Sequence, residues 1–452
     1  MRTLFICVVA LLSSLFAARA QSTSLDGYLQ EGLANNLVLK EKNLSLQRAL
    51  NAMQVAKSLY LPAIDLDVLY SHAQGGRSIE LPIGDLLNPV YNTLNTLTAS
   101  QAFPQINNET INFLPQNYYD AKVRTTMPIL QTDIAYNKQI KEAGVRLQEN
   151  EVEIYKRELV REIKSAYYRY LTAMQIKAIY ESSLELAEEG RRVNQKLLDA
   201  GTGLPAYVIR AQSEIASIEA QMADADKNIK NAGIYFNVLL NRPADAAILP
   251  DAVLQNDQLW SLESWATLDA SRREELQSLE TGIAVQEAIV KMNKQYLIPK
   301  ISGFFDLGSQ AEGLQFNDDS RYFMVGLTMK MPIFQGNRNK LKIQEAKIDL
   351  AASQNKKAQA EQQLTMAVDL AKNELLAAFK NLEKTKVQLE AAATYQRLIQ
   401  KGFSAGVNTY IETIDARSQY TSAKLAETVS KLQILSALTK LERESATFQM
   451  PQ

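Results

Sequence analysis

Two sequence periods alternate along the 452-residue chain. Over residues 24–59, apolar side chains recur at helical spacing, which predicts one helix that ends before Pro62. From Ile64 the period changes to two, which predicts a strand, and a second strand is predicted over residues 121–127. Between the two strands, residues 77–117 contain several Gly, Pro and Asn and show no sustained period, so we predict a long loop there.

The longest helical segment of the first half runs from about residue 132 to residue 200 and contains no proline. At about 1.5 Å per residue, a helix of this length measures about 100 Å, more than a compact globular core needs. The return segment from Val208 to Leu239 has apolar residues at steps of three and four, as in the seam of a coiled coil, and Arg242-Pro243 ends it.

The second half follows the same plan. The pattern predicts a helix over about 266–295, two strands between Pro299 and Met331, a long helix over about 337–402 and a last helix to about 443. We therefore divide the chain into a signal peptide (1–20), a first repeat (21–242), a connector (243–265), a second repeat (266–445) and a short tail (446–452).

One short stretch occurs in both halves. Gly201 and Gly406 each lie between two long helical segments, and in both copies Ile follows eight residues later and Ala follows ten residues later. Only glycine adopts the left-handed backbone at a helix end at low cost. Each copy is therefore predicted to be the tip of a long helical hairpin.

Composition and charge narrow the class of protein. The net charge of −1 argues against a nucleic-acid partner, and the low content of glycine (18) and proline (12) favours long helices. The apolar run from Leu4 to Ala18, followed by Arg19 and Ala20, is typical of a secretory signal peptide with cleavage before Gln21. The only cysteine, Cys7, lies inside this run, so the mature chain is predicted to have neither disulfides nor thiol chemistry.

The residue inventory also excludes several catalytic sites. His72 is the only histidine and no cysteine lies beyond residue 7, which excludes Ser-His-Asp, Cys-His and zinc-hydrolase chemistry, and no phosphate-binding loop occurs. We predict that the protein is not an enzyme and has no metal or cofactor. A secreted enzyme that uses carboxylates alone stays open as an alternative.

The tip at Gly406 carries a family resemblance. Glycine, a polar cluster, an acidic residue and then Ile414-Asp415-Ala416 resemble the periplasmic tip of TolC-type outer-membrane efflux proteins, and the resemblance covers nearly the whole mature chain. It implies a mainly α-helical protein with a small membrane β-part and an internal two-fold repeat. Four strands cannot enclose a lumen alone, whereas three chains give a twelve-stranded β-barrel, continued by a long α-helical coiled-coil tunnel.

The resemblance further implies a function. The chain would be a passive exit duct of a tripartite efflux or type I secretion system in the outer membrane, with its tunnel in the periplasm. Its partners would be two further copies in a homotrimer, a periplasmic adaptor (membrane fusion protein), an inner-membrane pump of RND or ABC type, and outer-membrane lipid. The competing hypothesis is a soluble periplasmic coiled-coil adaptor or scaffold. The sequence names neither the cargo nor the pump class.

The resemblance also assigns roles to residues at the two tips. Gly201, Thr202, Gly406 and Val407 would form adaptor-docking surfaces, although each glycine can also be a simple helix cap. Glu412 and Asp415, three apart on a helix, would form two stacked acidic rings at a narrow pore entrance; the alternative is two solvated surface acids.

The gating lock of the family is altered in this chain. The family has an acid in the first tip that bonds to a tyrosine and an arginine near the second glycine. The matching positions here are Tyr207, Phe403 and Asn408, which cannot form a charge pair. Closure of the pore would therefore depend on packing of Tyr207 and Phe403 or on other bonds.

Overall fold

The computed structural model describes residues 24–251, 265 and 267–448. The predicted signal peptide with Cys7, most of the connector over 243–265 and the last four residues of the tail lie outside the described residues. The described part of the chain forms two units. The first comprises the described residues of Met1–Asn51, Glu142–Glu287 and Ile348–Gln452, and the second comprises Ala52–Lys141 and Ala288–Lys347.

The predicted single helix over 24–59 is two helices, α1 (Ser24–Asn35) and α2 (Leu37–Ser58). The break lies at the buried Asn36. Its side-chain oxygen accepts a hydrogen bond from the Leu39 N–H at 3.0 Å, and its side-chain amide donates to the Leu239 carbonyl at 3.0 Å. An asparagine that caps the following helix turn in this way competes with the continuous helical ladder, which the apolar period alone cannot reveal.

The second unit contains a four-stranded antiparallel sheet. In the order in which they pair, its strands are β1 (Ala63–His72), β4 (Asn117–Leu130), β5 (Lys300–Glu312) and β6 (Arg321–Lys330). A short 3-10 turn (Asp318–Ser320) leads into β6. All four strands were predicted. Strands β1 and β6 lie at the two edges of the sheet.

The two faces of this sheet differ sharply in polarity. The register aligns Leu66, Val123, Leu307 and Phe323 across all four strands on one face. The next row, on the opposite face, contains Asp65, Arg124, Asp306 and Met324, where Arg124 donates two hydrogen bonds to Asp306 at 2.8 and 2.6 Å. Alternate residues of a strand point to opposite faces, so the period of two seen in the sequence separates an apolar face from a charged face.

The predicted loop over residues 77–117 is a folded subdomain. It contains β2 (Ser78–Leu81), α3 (Ile83–Thr98) and β3 (Glu109–Asn112), and β2 pairs with β3. Asn88 and Asn95 each make two hydrogen bonds, of 2.7–3.0 Å, to the backbone at Ile106 and Phe103. The prediction of a loop was wrong because these asparagines, which usually mark turns, bind α3 to the returning chain.

Two long helical hairpins follow the sheet strands as predicted. The first consists of α4 (Thr132–Asp199) and α5 (Pro205–Leu239), and the second of α7 (Arg338–Ser404) and α8 (Tyr410–Ser445). Helix α6 (Glu274–Lys294) begins eight residues later than predicted, because Asp269 accepts hydrogen bonds from Ser271 and forms a turn there instead. No helix among the described residues is long and apolar enough to cross a membrane.

The core of the first unit contains an aromatic cluster. Tyr28 of α1 packs edge-on against Phe236 of α5, with ring centroids 5.1 Å apart, and Tyr167 of α4 lies 5.6 Å from Phe236. A second buried cluster joins α7 and α8 through Leu375 and Ile434. These contacts hold the helices of the first unit together.

Candidate functional site: the two hairpin tips

The two hairpins close with the same backbone geometry. Gly201 and Gly406 both have a φ of +76°. In the first tip the Gly201 N–H donates to the Leu198 carbonyl at 2.9 Å and the Thr202 N–H to the Leu197 carbonyl at 2.9 Å. The second tip repeats this pair of bonds, with distances of 3.0 and 2.8 Å. This is the Schellman closure, which satisfies the last carbonyls of a helix and requires a left-handed residue at the glycine position.

The four residues predicted to dock an adaptor are all on the surface. Gly201, Thr202, Gly406 and Val407 are exposed, and the Val407 side chain is 80% exposed. Leu204 and Ile411, near the start of the return helices, are exposed as well. The tips therefore present apolar side chains and free backbone to solvent, which is consistent with a contact surface but does not identify a partner.

Glu412 caps helix α8. Its Oε2 atom accepts hydrogen bonds from the Thr409 N–H at 2.6 Å, the Thr409 hydroxyl at 3.0 Å and the Asn408 side-chain amide at 3.2 Å. The Glu412 N–H in turn donates to the Thr409 hydroxyl at 3.3 Å, which completes a capping box. These bonds, with that from the Thr409 N–H first, hold the pKa of Glu412 below its ordinary value.

Asp415 lies three residues further along α8 and is exposed. It accepts a hydrogen bond from the Gln419 side-chain amide at 2.8 Å. Glu412 and Asp415 are thus both exposed acids near the start of α8, as the predicted entrance requires. That they face a lumen stays a prediction, since this depends on an assembly of several chains.

Tyr207 and Phe403 are brought together by a residue that the sequence analysis did not single out. Tyr410, the first residue of α8, is 1% exposed. Its ring lies 5.9 Å from that of Tyr207 and 6.0 Å from that of Phe403. Asn408, the third residue of the predicted lock, instead lies against Gly402 at the end of α7. The aromatic packing therefore has three members, and Tyr410 is its centre.

Gly190, one of the two glycines of helix α4, makes room for Tyr410. A Cβ atom at Gly190 would lie 2.7 Å from the Tyr410 hydroxyl oxygen and 3.3 Å from Nη2 of Arg417. Glycine inside a helix is unfavourable relative to alanine, and the close approach of Tyr410 and Arg417 gives a physical reason for it at Gly190. This glycine was the one sequence signal for Tyr410, but it could not name the residue that approaches.

An ion pair next to Tyr410 also escaped the sequence analysis. Arg417 of α8 donates a hydrogen bond through Nη1 to Oε1 of Glu214 on α5, at 3.3 Å. The side chains of Glu214 and Arg417 are 12% and 7% exposed. Burial raises the pKa of Glu214 more than the neighbouring Arg417 and Arg210 lower it, and burial likewise raises the pKa of Tyr410.

The described residues offer no other chemistry at the tips. No group of three or more His, Cys, Asp or Glu side chains in the described part of the chain is arranged to hold a metal ion. His72, in β1, is 2.9 Å from the Asn117 side-chain oxygen.

Comparison with known proteins bears on these features directly. Residues 267–445, which include α7, the second tip and α8, match the family model described as outer membrane efflux protein. This part of the chain is therefore similar to outer membrane efflux proteins. The chain is 20% identical to the outer membrane protein TolC of Escherichia coli (strain K12), over 98% of this chain and 88% of TolC. It is 25% identical to the outer membrane protein OprJ of Pseudomonas aeruginosa, over 57% of this chain and 55% of OprJ.

Solved structures of outer-membrane channels show the same fold. The outer-membrane channel OprN superposes with a TM-score of 0.74 at 18% identity, covering 95% of this chain and 91% of that one. CusC, described as forming a transmembrane channel, superposes with a TM-score of 0.76 at 16% identity, covering 93% and 91%. The helix-rich fold predicted from the family resemblance is confirmed.

Proposed function

We propose that this protein is a passive exit duct in the outer membrane, which works as a trimer with a periplasmic adaptor and an inner-membrane pump. The match of residues 267–445 to the outer membrane efflux protein model and the similarity to TolC support this function over a soluble adaptor or scaffold. The energy for export would come from the pump. The cargo and the pump class stay open.

The two-faced sheet is the observation that carries the proposal. On its apolar face, Ile64, Leu66 and Val68 of β1 and Phe323, Val325 and Leu327 of β6 are each at least 67% exposed. A soluble protein rarely exposes an apolar area of this kind, whereas lipid chains would cover it. The free edges of β1 and β6 cannot face hydrocarbon unpaired, so we expect β1 of one copy to pair with β6 of the next. Three copies then close a twelve-stranded barrel with the charged face inside.

Adjacent residues of β6 give a matched test of this arrangement. Val325 lies on the apolar face and Met324 on the charged face, in the row of Arg124 and Asp306. Val325→Lys should destabilise the membrane-inserted protein by about 2–4 kcal/mol, whereas Met324→Lys should be nearly neutral. Unfolding from lipid vesicles measures both. Equal effects of the two lysines, or wild-type protein found in the soluble periplasmic fraction, would contradict the proposal.

The folded subdomain between β1 and β4 would lie outside the cell. Barrels of this kind have their long loops outside, and residues 73–116, which join β1 to β4, form a much longer connection than residues 313–320, which join β5 to β6. A cysteine at the exposed Leu97 should react with an impermeant maleimide on intact cells. Reaction only after lysis would reverse the proposed orientation.

We assign adaptor docking to the two tips. Exposed apolar residues next to the Schellman turns support this assignment, and Val407 can be changed without touching the left-handed glycine. Val407→Asp should lower export activity while the yield of trimer stays normal. Normal activity with this variant would leave the tip as a helix closure alone.

We assign the pore entrance to Glu412 and Asp415. In three copies these acids would gather six carboxylates, which favours cations and permits block by multivalent cations. Glu412→Gln with Asp415→Asn should reduce cation selectivity in single-channel recordings, whereas Tyr207→Ala should raise conductance without a change in charge preference. Unchanged selectivity in the double variant would remove both acids from the pore.

A further inference from the structure

Glu214 and Arg417 form a side-chain bond between the two hairpin tips. Glu214 belongs to α5 of the first hairpin and Arg417 to α8 of the second, and the Nη1–Oε1 distance is 3.3 Å. The bond lies beside Ala211, Tyr410 and Ile414, the buried apolar cluster that joins the same two helices. Any movement that separates the tips must therefore expose the Glu214 carboxylate to solvent or give it a new partner.

Glu214 is poorly satisfied as a charged group. Its second oxygen, Oε2, is buried without a hydrogen-bond partner, and so is the hydroxyl oxygen of the neighbouring Tyr410. An ionised carboxylate can accept several hydrogen bonds, and a buried oxygen without a partner costs desolvation free energy. The protonated acid is less costly to bury and keeps an oxygen that can accept the Arg417 bond.

Glu275, a half-buried glutamate of the same unit, makes the full set of hydrogen bonds that Glu214 lacks. Glu275 accepts two hydrogen bonds from Arg273, both 2.8 Å, and one from Arg443 at 2.9 Å. Burial works to raise the pKa of Glu275, but the arginine bonds outweigh it and lower the pKa to about 2. Glu214 has one longer bond in place of three short ones, so burial dominates there.

The charged and titratable groups around Glu214 come from three helices. Arg210 is one turn away on α5, Tyr180 of α4 and Asp415 of α8 line the same cleft, and Arg417 and Tyr410 of α8 complete the surroundings. Asp415 is exposed and bonded to Gln419, and Arg210 is also exposed. Glu214, with a side chain that is 12% exposed, is thus the less accessible of the two acids that line this cleft.

We propose that Glu214 is a proton-binding group that couples pH to the packing of the two hairpin tips, so that its neutral form favours the closed tip and its ionised form loosens α5 from α8. The inference rests on the proposed function only in taking the packed tip as the closed state of a duct. The packing effect itself concerns one folded chain.

The direction of the effect follows from linkage. The packed state raises the pKa of Glu214 above its ordinary value, so this state binds the proton more tightly than a state in which Glu214 is exposed. The stabilisation of the packed tip is fully present below the ordinary pKa and is lost as the pH rises through the raised pKa.

The test measures the α5–α8 distance directly. Spin labels at Gln212→Cys and Ser418→Cys, both exposed positions, are placed in the full chain with Cys7→Ser, and labelled chains are diluted with unlabelled ones. Between about pH 4 and pH 8, the distance distribution should change from narrow to broad as Glu214 ionises. Glu214→Gln should keep the narrow distribution at every pH.

Glu219→Gln, an exposed acid of the same helix, is the matched control and should retain the pH response. A distribution that does not change with pH in the unmutated pair, or a response that persists in Glu214→Gln, would overturn the proposal. Channel recordings of the same preparations keep the two hypotheses apart. Absence of conductance would contradict the duct function, whereas the distance measurement would still decide the role of Glu214.

Discussion

The two hairpin tips have the same backbone conformation but differ in the side chains that pack at the turn. Both turns have a left-handed glycine and the same pair of Schellman hydrogen bonds. The two tips differ at one pair of positions, which lie four residues before and two residues after the left-handed glycine. In the first tip these positions hold Leu197 and then Gly203, a large residue followed by glycine. In the second tip they hold Gly402 and then Asn408, which is the reverse order. Each tip therefore has one glycine and one larger residue at these two positions. The same backbone turn accommodates the larger residue at either of them.

The return helices begin differently as well. Helix α5 begins with Pro205 after Leu204, which makes no side-chain cap, whereas α8 begins after Thr409, which forms a capping box with Glu412. Proline at the first helical position needs no partner for an N–H group, so the first tip fixes its helix start by covalent geometry and the second by hydrogen bonds. The second tip is the one whose start can respond to charge.

The largest difference in local stability between the two tips should come from replacing Gly203 of the first tip and Gly402 of the second with alanine. A Cβ at Gly203 would lie 2.6 Å from the Leu198 backbone nitrogen and 2.7 Å from the Leu197 carbonyl carbon, so Gly203→Ala should reduce local stability by about 2 kcal/mol. At Gly402 the nearest atom is the Asn408 side-chain oxygen, which can rotate away. Gly402→Ala should therefore cost less, and Asn408→Ala should rescue it.

Amide hydrogen exchange of residues 200–204 and 405–409 measures both local stabilities in the same sample. Gly144→Ala is a suitable control, because nothing lies within 4 Å of the added Cβ and alanine favours the helix. An equal or larger loss of local stability in Gly402→Ala would contradict this prediction. The order of the small and the large residue would then have no effect on the stability of the tips.

A smaller difference should follow from removing the caps. Thr409→Ala deletes the hydroxyl of the capping box and should destabilise the first turn of α8 by about 1 kcal/mol. Leu204→Ala, at the equivalent position of the first tip, removes no cap and should leave the first turn of α5 unchanged. Exchange rates of the amides in each first turn decide between these outcomes, and a similar response at both tips would refute the proposed difference in how the helices begin.

The smallest effect should be a pH response of the first helical turn, present in α8 and absent from α5. The pKa of Glu412 is lowered in the folded state, so the stabilisation by its charged form is present above its ordinary pKa and is lost as the pH falls through the lowered value. The equivalent residue of the first tip is Tyr207, which has no such charge. The stability of the first turn of α8 should fall in acid, whereas that of the first turn of α5 should not. Glu412→Gln should abolish this difference between the two helices. A response that survives in this variant belongs to another group.

The sequence by itself determined the features that depend on local patterns. The helix and strand periods located the four strands of the sheet and the long hairpins, and Gly201 and Gly406 located both tips, because a Schellman turn is closed by residues within a few positions of the glycine. Local reasoning failed where side chains bonded to distant backbone. Asn88 and Asn95 turned an expected loop into a helix-containing subdomain, and Asn36 divided one expected helix into two.

Only the tertiary structure decided which residues meet at the candidate site. Tyr410 and Gly190 are 220 positions apart, and Glu214 and Arg417 are 203 positions apart. Such pairs leave no period in the sequence, since their contact depends on the relative rotation and register of helices that pack against each other. The sequence could show that Tyr207 and Phe403 replace a charged lock; the packing of α4, α5 and α8 decided that Tyr410 joins them and that a buried, partly satisfied Glu214 lies beside them.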